Sequence, residues 1–274
     1  MEPQTDTSTG QVAEPALSDH IAFDHVFSLA GKVALITGGG SGIGFDIARC
    51  MVEAGATVII TGRREQPLQD AVETLGERAH YEVNDVTERA RLGELVATIE
   101  QTHGPIDILV NNAGINMKKP ALEVTDEDFD RIVHTNLNSV FSLTRACASR
   151  MIERGSGSII MISSMAAYYG IDRVAAYAAS KSGVEGMVKV LASEFSGRGV
   201  RVNAIAPGFI ETAMSKTAMG GDPDRFARAM RRTPMGKFGK PDDIGWAAVF
   251  LASDAARYVT GASLPVDGGN SIGF

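Results

Sequence analysis

The sequence predicts an α/β chain built on one parallel sheet with helices covering both faces. Two observations carry that prediction. Short strand-like apolar runs recur at 33–37, 57–61, 79–83, 106–110, 158–163, 200–205 and 263–266, with helical patterns between them. Strands that read as continuous apolar runs, alternating with helices, are buried on both sides, and right-handed crossovers wind them into a doubly wound sheet. The chain has 274 residues, 44% hydrophobic and 22% charged, which suits one domain with a sizeable core.

The first run, Val33-Ala34-Leu35-Ile36, leads into a turn holding Gly38, Ser41, Gly42, Ile43 and Gly44. A helix follows, apolar at Ile47, Ala48, Met51 and Val52. Strand, glycine turn and helix form the context of a dinucleotide site. There the glycines let backbone approach a pyrophosphate resting on the helix N-terminus. The second run ends in Thr61-Gly62-Arg63-Arg64. Asp85-Val86 follows the third, where the carboxylate can cap the helix of TERARLGELV. Asn111-Asn112-Ala113-Gly114 closes the fourth, and the fifth, SIIMISS, ends on Ser163 and Ser164.

The next helix carries Tyr177 and Lys181 at i, i+4, on one face and one turn apart. An ammonium beside a phenol favours the ionised phenol, so the pair is a candidate general acid/base. The sixth run is followed by Pro207-Gly208, then by a long segment, about 212–240, with a short helix near 223–232. Arginines cluster in that segment, which reads as a lid. Trp246 and Phe250, i, i+4 on the next helix, read as core or subunit contact.

A net charge of −7 gives no electrostatic basis for binding nucleic acid. Cys50 and Cys147 fall in helical patterns and read as reduced core residues. His80, His103 and His134 lack ligand spacing, so no metal site is expected. Residues 1–28 read as a flexible polar tail with Phe23 to Phe27 packing on the domain at 29–274. They show neither a secretory nor a mitochondrial signal, and no run is long enough to span a membrane, which makes the cytoplasm the expected location.

TGGGSGIG at 37–44, Asn111-Asn112-Ala113-Gly114, Asn136 in HTNLNSVF, Tyr177-x-x-x-Lys181, Pro207-Gly208 and YVTGASLPVDGG occur in one order across residues 29–272. In these motifs the chain resembles the short-chain dehydrogenase/reductase family. The resemblance implies a single Rossmann-type sheet in the order 3-2-1-4-5-6-7 and a catalytic set of Asn136, Ser164, Tyr177 and Lys181. It implies adenine contacts at Asp85 and Val86, and backbone approach to the adenosine ribose at Asn112, Ala113 and Gly114. The nicotinamide carboxamide would be held beyond Pro207 and Gly208, at Ile210 and Thr212. Gly62 offers no acidic side chain for a ribose 2′-hydroxyl, and the Arg63 guanidinium suits a 2′-phosphate, so NADP is favoured over NAD.

The branch it most resembles is gluconate 5-dehydrogenase and related sugar or polyol dehydrogenases, with Lys118 or Lys119 as candidate carboxylate contacts. Acyl-carrier-protein reductases share nearly every landmark, so a 3-oxoacyl thioester or hydrophobic ketone stays open as the substrate. A non-catalytic NADP sensor is a third alternative. Substrate-pocket candidates are Ser164, Ala166, Tyr169, Phe209 and Met214. The resemblance also implies a homotetramer joined through helices near 136–153 and 175–196, which carry Val140, Leu143, Val184, Met187 and Val188.

Overall fold

The computed structural model describes residues 22–212 and 223–273. Seven parallel strands, β1 (Val33–Thr37), β2 (Thr57–Gly62), β3 (Ala79–Val83), β4 (Ile106–Asn111), β5 (Gly157–Ile162), β6 (Val200–Pro207) and β7 (Ser263–Val266), form one sheet. Their order is β3-β2-β1-β4-β5-β6-β7, as the resemblance implies. Successive side chains of a strand point to opposite faces, and both faces are apolar here. Ala34 and Ile36 belong to one core, whereas Val33 and Leu35 belong to the other.

The first core is closed by α2 (Gly42–Glu53), α3 (Glu65–Leu75) and α9 (Pro241–Ala252). The second is closed by α4 (Leu92–His103), α6 (Ser139–Arg154) and α7 (Ala175–Phe195). Gly245 lets α9 lie against α2, because a Cβ there would come within 2.5 Å of Cys50 Sγ and 2.8 Å of the Asp46 carbonyl. Cys50 and Cys147 are buried, free thiols, each pushed up to about 12, chiefly by burial.

Strands β2, β4 and β6 run one or two residues past their expected ends, and two further boundary differences bear on the site. β5 stops at Ile162, so both serines lie just beyond it, although the Ser163 N–H still donates to the Ile205 carbonyl of β6 at 2.7 Å. The helix after Asp85 starts only at Leu92, behind a 3-10 turn at Arg89–Arg91. Asp85 instead closes its own turn, accepting from the Thr87 N–H at 2.9 Å and hydroxyl at 2.8 Å.

The short helices α1 (Phe23–Val26) and α5 (Asp126–Val133) flank this framework. The side chain of Thr125 caps α5, and three acids occupy its first turn. α8 (Pro223–Arg232) lies where a short helix is expected. Residues 1–21 and 213–222, including Met214, lie outside the described residues.

Val140, Leu143, Val184 and Val188 face the sheet and are buried within the single chain. The apolar side chains that α6 and α7 turn outward are Phe141 and Val190, 43% and 56% exposed. Trp246 is likewise exposed. Among the described residues no helix is long and apolar enough to cross a membrane. His80 and His103 stack at 4.4 Å, yet no group of three metal-ligating side chains is found among the described residues.

Candidate active site

β1 delivers the chain to a turn in which Gly38 and Gly42 adopt φ of +68° and +57°. L side chains rarely tolerate these values. Gly44 is required for a different reason: a Cβ there would overlap the Gly38 carbonyl oxygen and the Asn112 side-chain amide. Asn112 is thus more than a backbone neighbour of a ligand. Its Nδ2 donates to the carbonyls of Thr37 and Gly38 at 2.9 and 3.2 Å. The Thr37 hydroxyl accepts from the N–H groups of Asn112 and Ala113, each at 3.0 Å. These bonds cross-link β1 to β4 and hold the glycine turn open at the N-terminus of α2.

A cavity of about 700 Å³ spans the C-terminal ends of the central strands. This is where ligands bind in doubly wound sheets. Gly38, Ser41, Gly42, Ile43 and Gly44 line it, as do Arg63, Asp85 and Val86 on the β2–β3 side. Asn112, Ala113, Gly114, Tyr177, Lys181 and Thr212 line it on the β4–β5 side. Pro207, Gly208 and Ile210 do not reach it. The Gly208 N–H donates to the Val266 carbonyl at 3.0 Å, and the missing side chain lets Asp267 pass close by. Ile210 is buried and bridges to Gly239.

The cavity fits a nicotinamide dinucleotide. Ser41 makes no side-chain cap to α2, leaving first-turn N–H groups for an anion. Thr61 Oγ1 and Asn84 Nδ2 belong to residues lining the cavity, and both are buried atoms without a partner among the described residues. Sequence reasoning missed these two, as well as Arg131 and His134, which also line the cavity. Asn84 directly precedes Asp85. Arg131 arrives from α5 and His134 from the turn that follows it, both far away in the chain.

Asp85 is pushed upward by burial. The two Thr87 bonds outweigh this, and with Arg63 and His134 nearby the carboxyl lies below its ordinary value. Arg63 is therefore close enough for its charge to be felt at the β3 side of the cavity.

At the other side, Ser164 caps the 3-10 turn Met165–Ala167, accepting from the Ala166 N–H at 3.2 Å. It also hydrogen-bonds Tyr177, which is half-buried on the cavity wall. Ser163, its neighbour, is buried, and its hydroxyl has no partner among the described residues.

The sequence leads one to expect that Lys181 pulls the Tyr177 phenol below its ordinary value. In the chain alone the phenol is raised: burial pushes it up, and the Ser164 bond only opposes this. The Lys181 ammonium stands 5.7 Å from the Tyr177 ring centroid and donates to the Ile162 carbonyl at 2.6 Å. Burial lowers its own pKa to about 8.

Lys181 makes folding pH-dependent. Between about pH 8 and 10.5 the unfolded chain holds a proton that the folded chain has released. Stability should therefore rise with pH across that window, by on the order of 3 kcal/mol, and the full penalty applies below it. Urea unfolding of wild type and Lys181→Met across this range checks the point. Parallel pH slopes for the two proteins would contradict it.

Asn136 is fully buried in a π-helical turn, His134–Asn138, between α5 and α6. It accepts from the Ile115 N–H at 2.9 Å, donates to the Ile115 carbonyl at 2.8 Å, and reaches Ser180 Oγ at 3.3 Å. It braces the loop after β4 against α7, next to Lys181. Of the candidate carboxylate contacts, Lys119 pairs with Asp128 at 2.9 Å. Ala166 is buried, Phe209 stacks with Phe238 at 6.0 Å, and the Tyr169 hydroxyl donates to Asn270 Oδ1.

Residues 38–271 match the family model described as Enoyl-(Acyl carrier protein) reductase. The chain belongs to the short-chain dehydrogenase/reductase family. It is 42% identical to the 3-oxoacyl-[acyl-carrier-protein] reductase FabG of Thermotoga maritima over 88% of this chain and 98% of that one. It is also 42% identical to the 2-dehydro-3-deoxy-D-gluconate 5-dehydrogenase of Pseudoalteromonas atlantica, over 89% and 97%. Among solved structures it is similar to a gluconate 5-dehydrogenase from Burkholderia cenocepacia in complex with NADP and tartrate. That match has a TM-score of 0.86 and 37% identity, covering 92% of this chain and 99% of that one. The short-chain dehydrogenase/reductase landmarks at Gly38–Gly44, Asn112, Tyr177 and Lys181 all converge on one cavity.

Proposed function

We propose that the chain is an NADP(H)-dependent oxidoreductase that interconverts a secondary alcohol and a ketone, acting on a sugar acid or polyol. The observation that carries this reading is the meeting of Ser164, Tyr177 and Lys181 beside the cavity that the glycine turn opens. When bound, the nicotinamide supplies or accepts the hydride. Tyr177 is the group that passes the proton to and from the substrate oxygen. Ser164 donates to the same oxygen as charge develops there. Lys181, kept cationic at neutral pH by a pKa of about 8, favours the phenolate form that accepts the proton. Asn136 positions Lys181 through the Ile115 and Ser180 bonds.

The similarity to sugar-acid dehydrogenases supports the substrate class. A panel of sugar acids, polyols and 3-oxoacyl thioesters, followed by NADPH absorbance, tests it. Turnover confined to the thioesters would favour the second reading, a 3-oxoacyl reductase. That reading is supported by the 42% identity to FabG and by the aromatic cluster Phe209, Phe238 and Phe226, with ring centroids 6.0 and 5.3 Å apart.

Arg63 and Arg64 support NADP over NAD, since both line the cavity where Gly62 presents no carboxylate. Arg63→Ala is expected to weaken NADPH about tenfold or more, the worth of a lost charge-assisted bond, while leaving NADH within about twofold. Fluorescence titration with both coenzymes reads this, and equal losses would argue against a 2′-phosphate contact.

The proposed assembly is a homotetramer, supported by Phe141 and Val190 facing outward from α6 and α7. Light scattering coupled to size exclusion should return four chains, and a monomer would overturn it. The proposed location is the cytoplasm, where buried, unpaired Cys50 and Cys147 stay reduced. Residues 1–28 are proposed as a tail outside the catalytic domain at 29–274, and the segment near 212–240 as a cover over the substrate.

A further inference from the structure

Tyr169 lies five residues after Ser164, and its hydroxyl turns to the C-terminal segment. Its hydroxyl donates to Asn270 Oδ1, and the Arg232 guanidinium stacks on its ring, 3.9 Å from the centroid. Asn270 is fully buried. Its Nδ2 donates to Thr233 Oγ1 at 2.9 Å, and Thr233 in turn donates to the Ala229 carbonyl of α8 at 2.8 Å. Arg232 Nε donates to the Asn270 carbonyl at 3.0 Å. The tail carrying Asn270 is itself held by Asp267, whose carboxylate accepts from the N–H groups of Gly269 and Ser271 at 2.9 and 2.6 Å. The opposite end of the chain of contacts is the Ser164 turn, because the Tyr169 N–H donates to the Met165 carbonyl at 3.2 Å. α8 also carries Phe226 onto Phe238, which stacks on Phe209.

We propose that Tyr169, Arg232, Thr233 and Asn270 form a latch that sets α8, and with it the Phe226–Phe238–Phe209 wall, relative to the Ser164 turn. They are positioning residues for substrate binding. Three segments far apart in sequence meet at Asn270, so loss of a polar link loosens the foot of α8 while the glycine turn and Tyr177 stay in place. This role rests on the alcohol–ketone reading of the site.

Tyr169→Phe removes the hydroxyl bond to Asn270, and Thr233→Val removes two bonds, to Asn270 and to the Ala229 carbonyl, each with little change of volume. Amide exchange in the 223–232 helix should accelerate about tenfold in each, with α2 unaffected. The double variant should exchange hardly faster than either single one, because both links run through Asn270. NADPH affinity should hold within about twofold, and KM should rise about tenfold with kcat nearly unchanged.

Unchanged or additive exchange in α8 would overturn the latch. A fall in kcat at constant KM in Tyr169→Phe would make Tyr169 a catalytic contact instead. The exchange measurement needs no substrate, so it stands even if the substrate panel shows no turnover.

Discussion

Tyr177→Phe should lower kcat by about 10²–10⁴-fold, the range for removing a positioned general acid/base, with NADPH binding almost intact. The substitution deletes one oxygen and keeps the ring that packs against the cavity wall. It removes the hydrogen bond with Ser164 and the only proton that the tyrosine can exchange. Lys181 is tied to the Ile162 carbonyl. The phenol is not part of the glycine turn or of the Asn112 brace, so coenzyme titration should give a dissociation constant within about twofold of wild type, the change expected when uniform binding is untouched. Stopped-flow or steady-state turnover on whichever alcohol or ketone the panel identifies provides the check. Residual activity above about a tenth of wild type would remove Tyr177 from the acid/base role.

Gly44→Ala is the second large effect, and it acts on binding and folding together. The added methyl would overlap a backbone carbonyl, Gly38 O, and the Asn112 amide that bridges β1 and β4. Neither is the free end of a flexible side chain, so α2 must move away from the strand. Overpacking of this kind costs about 1–3 kcal/mol, and the displaced turn should weaken NADPH by at least about tenfold because the N–H groups at the α2 N-terminus lose their aim. Gly93→Ala is the control. It lies in the first turn of α4 with nothing within 4 Å of the added methyl, and it should leave the protein at least as stable as wild type, with a gain of at most about 1 kcal/mol, without changing NADPH affinity. Thermal melts with coenzyme titrations measure both. A Gly44→Ala protein as stable and as tight-binding as wild type would show that the close packing at this turn is dispensable.

Much of this molecule is legible from local pattern. β1 and β2 are apolar except for threonines toward their ends, as strands buried on two faces should be, and β1 falls where the sequence places it. The glycine turn declares itself because glycine takes the positive φ at Gly38 and Gly42 without strain. Tyr177 and Lys181 declare themselves because helical spacing alone brings them to one face. Asp85 is harder to read: its carboxylate closes a turn two residues long, and the helix it was expected to cap begins only at Leu92. The buried interface candidates Val140, Leu143, Val184 and Val188 show the same limit. Periodicity tells that they are apolar, but only the packed layers tell which face meets the sheet.

By itself the sequence determined the alternation of strands and helices, the open backbone at the nucleotide turn, and the candidates for proton transfer, because these depend on neighbours within about one helical turn. The tertiary structure decided the rest: that Asn112 ties two strands under that turn, that burial moves Tyr177 and Lys181 toward their neutral forms, and that Tyr169 turns to Asn270, 101 residues further along the chain. Desolvation and long-range hydrogen bonding arise only once the layers close, and no spacing along the chain encodes them.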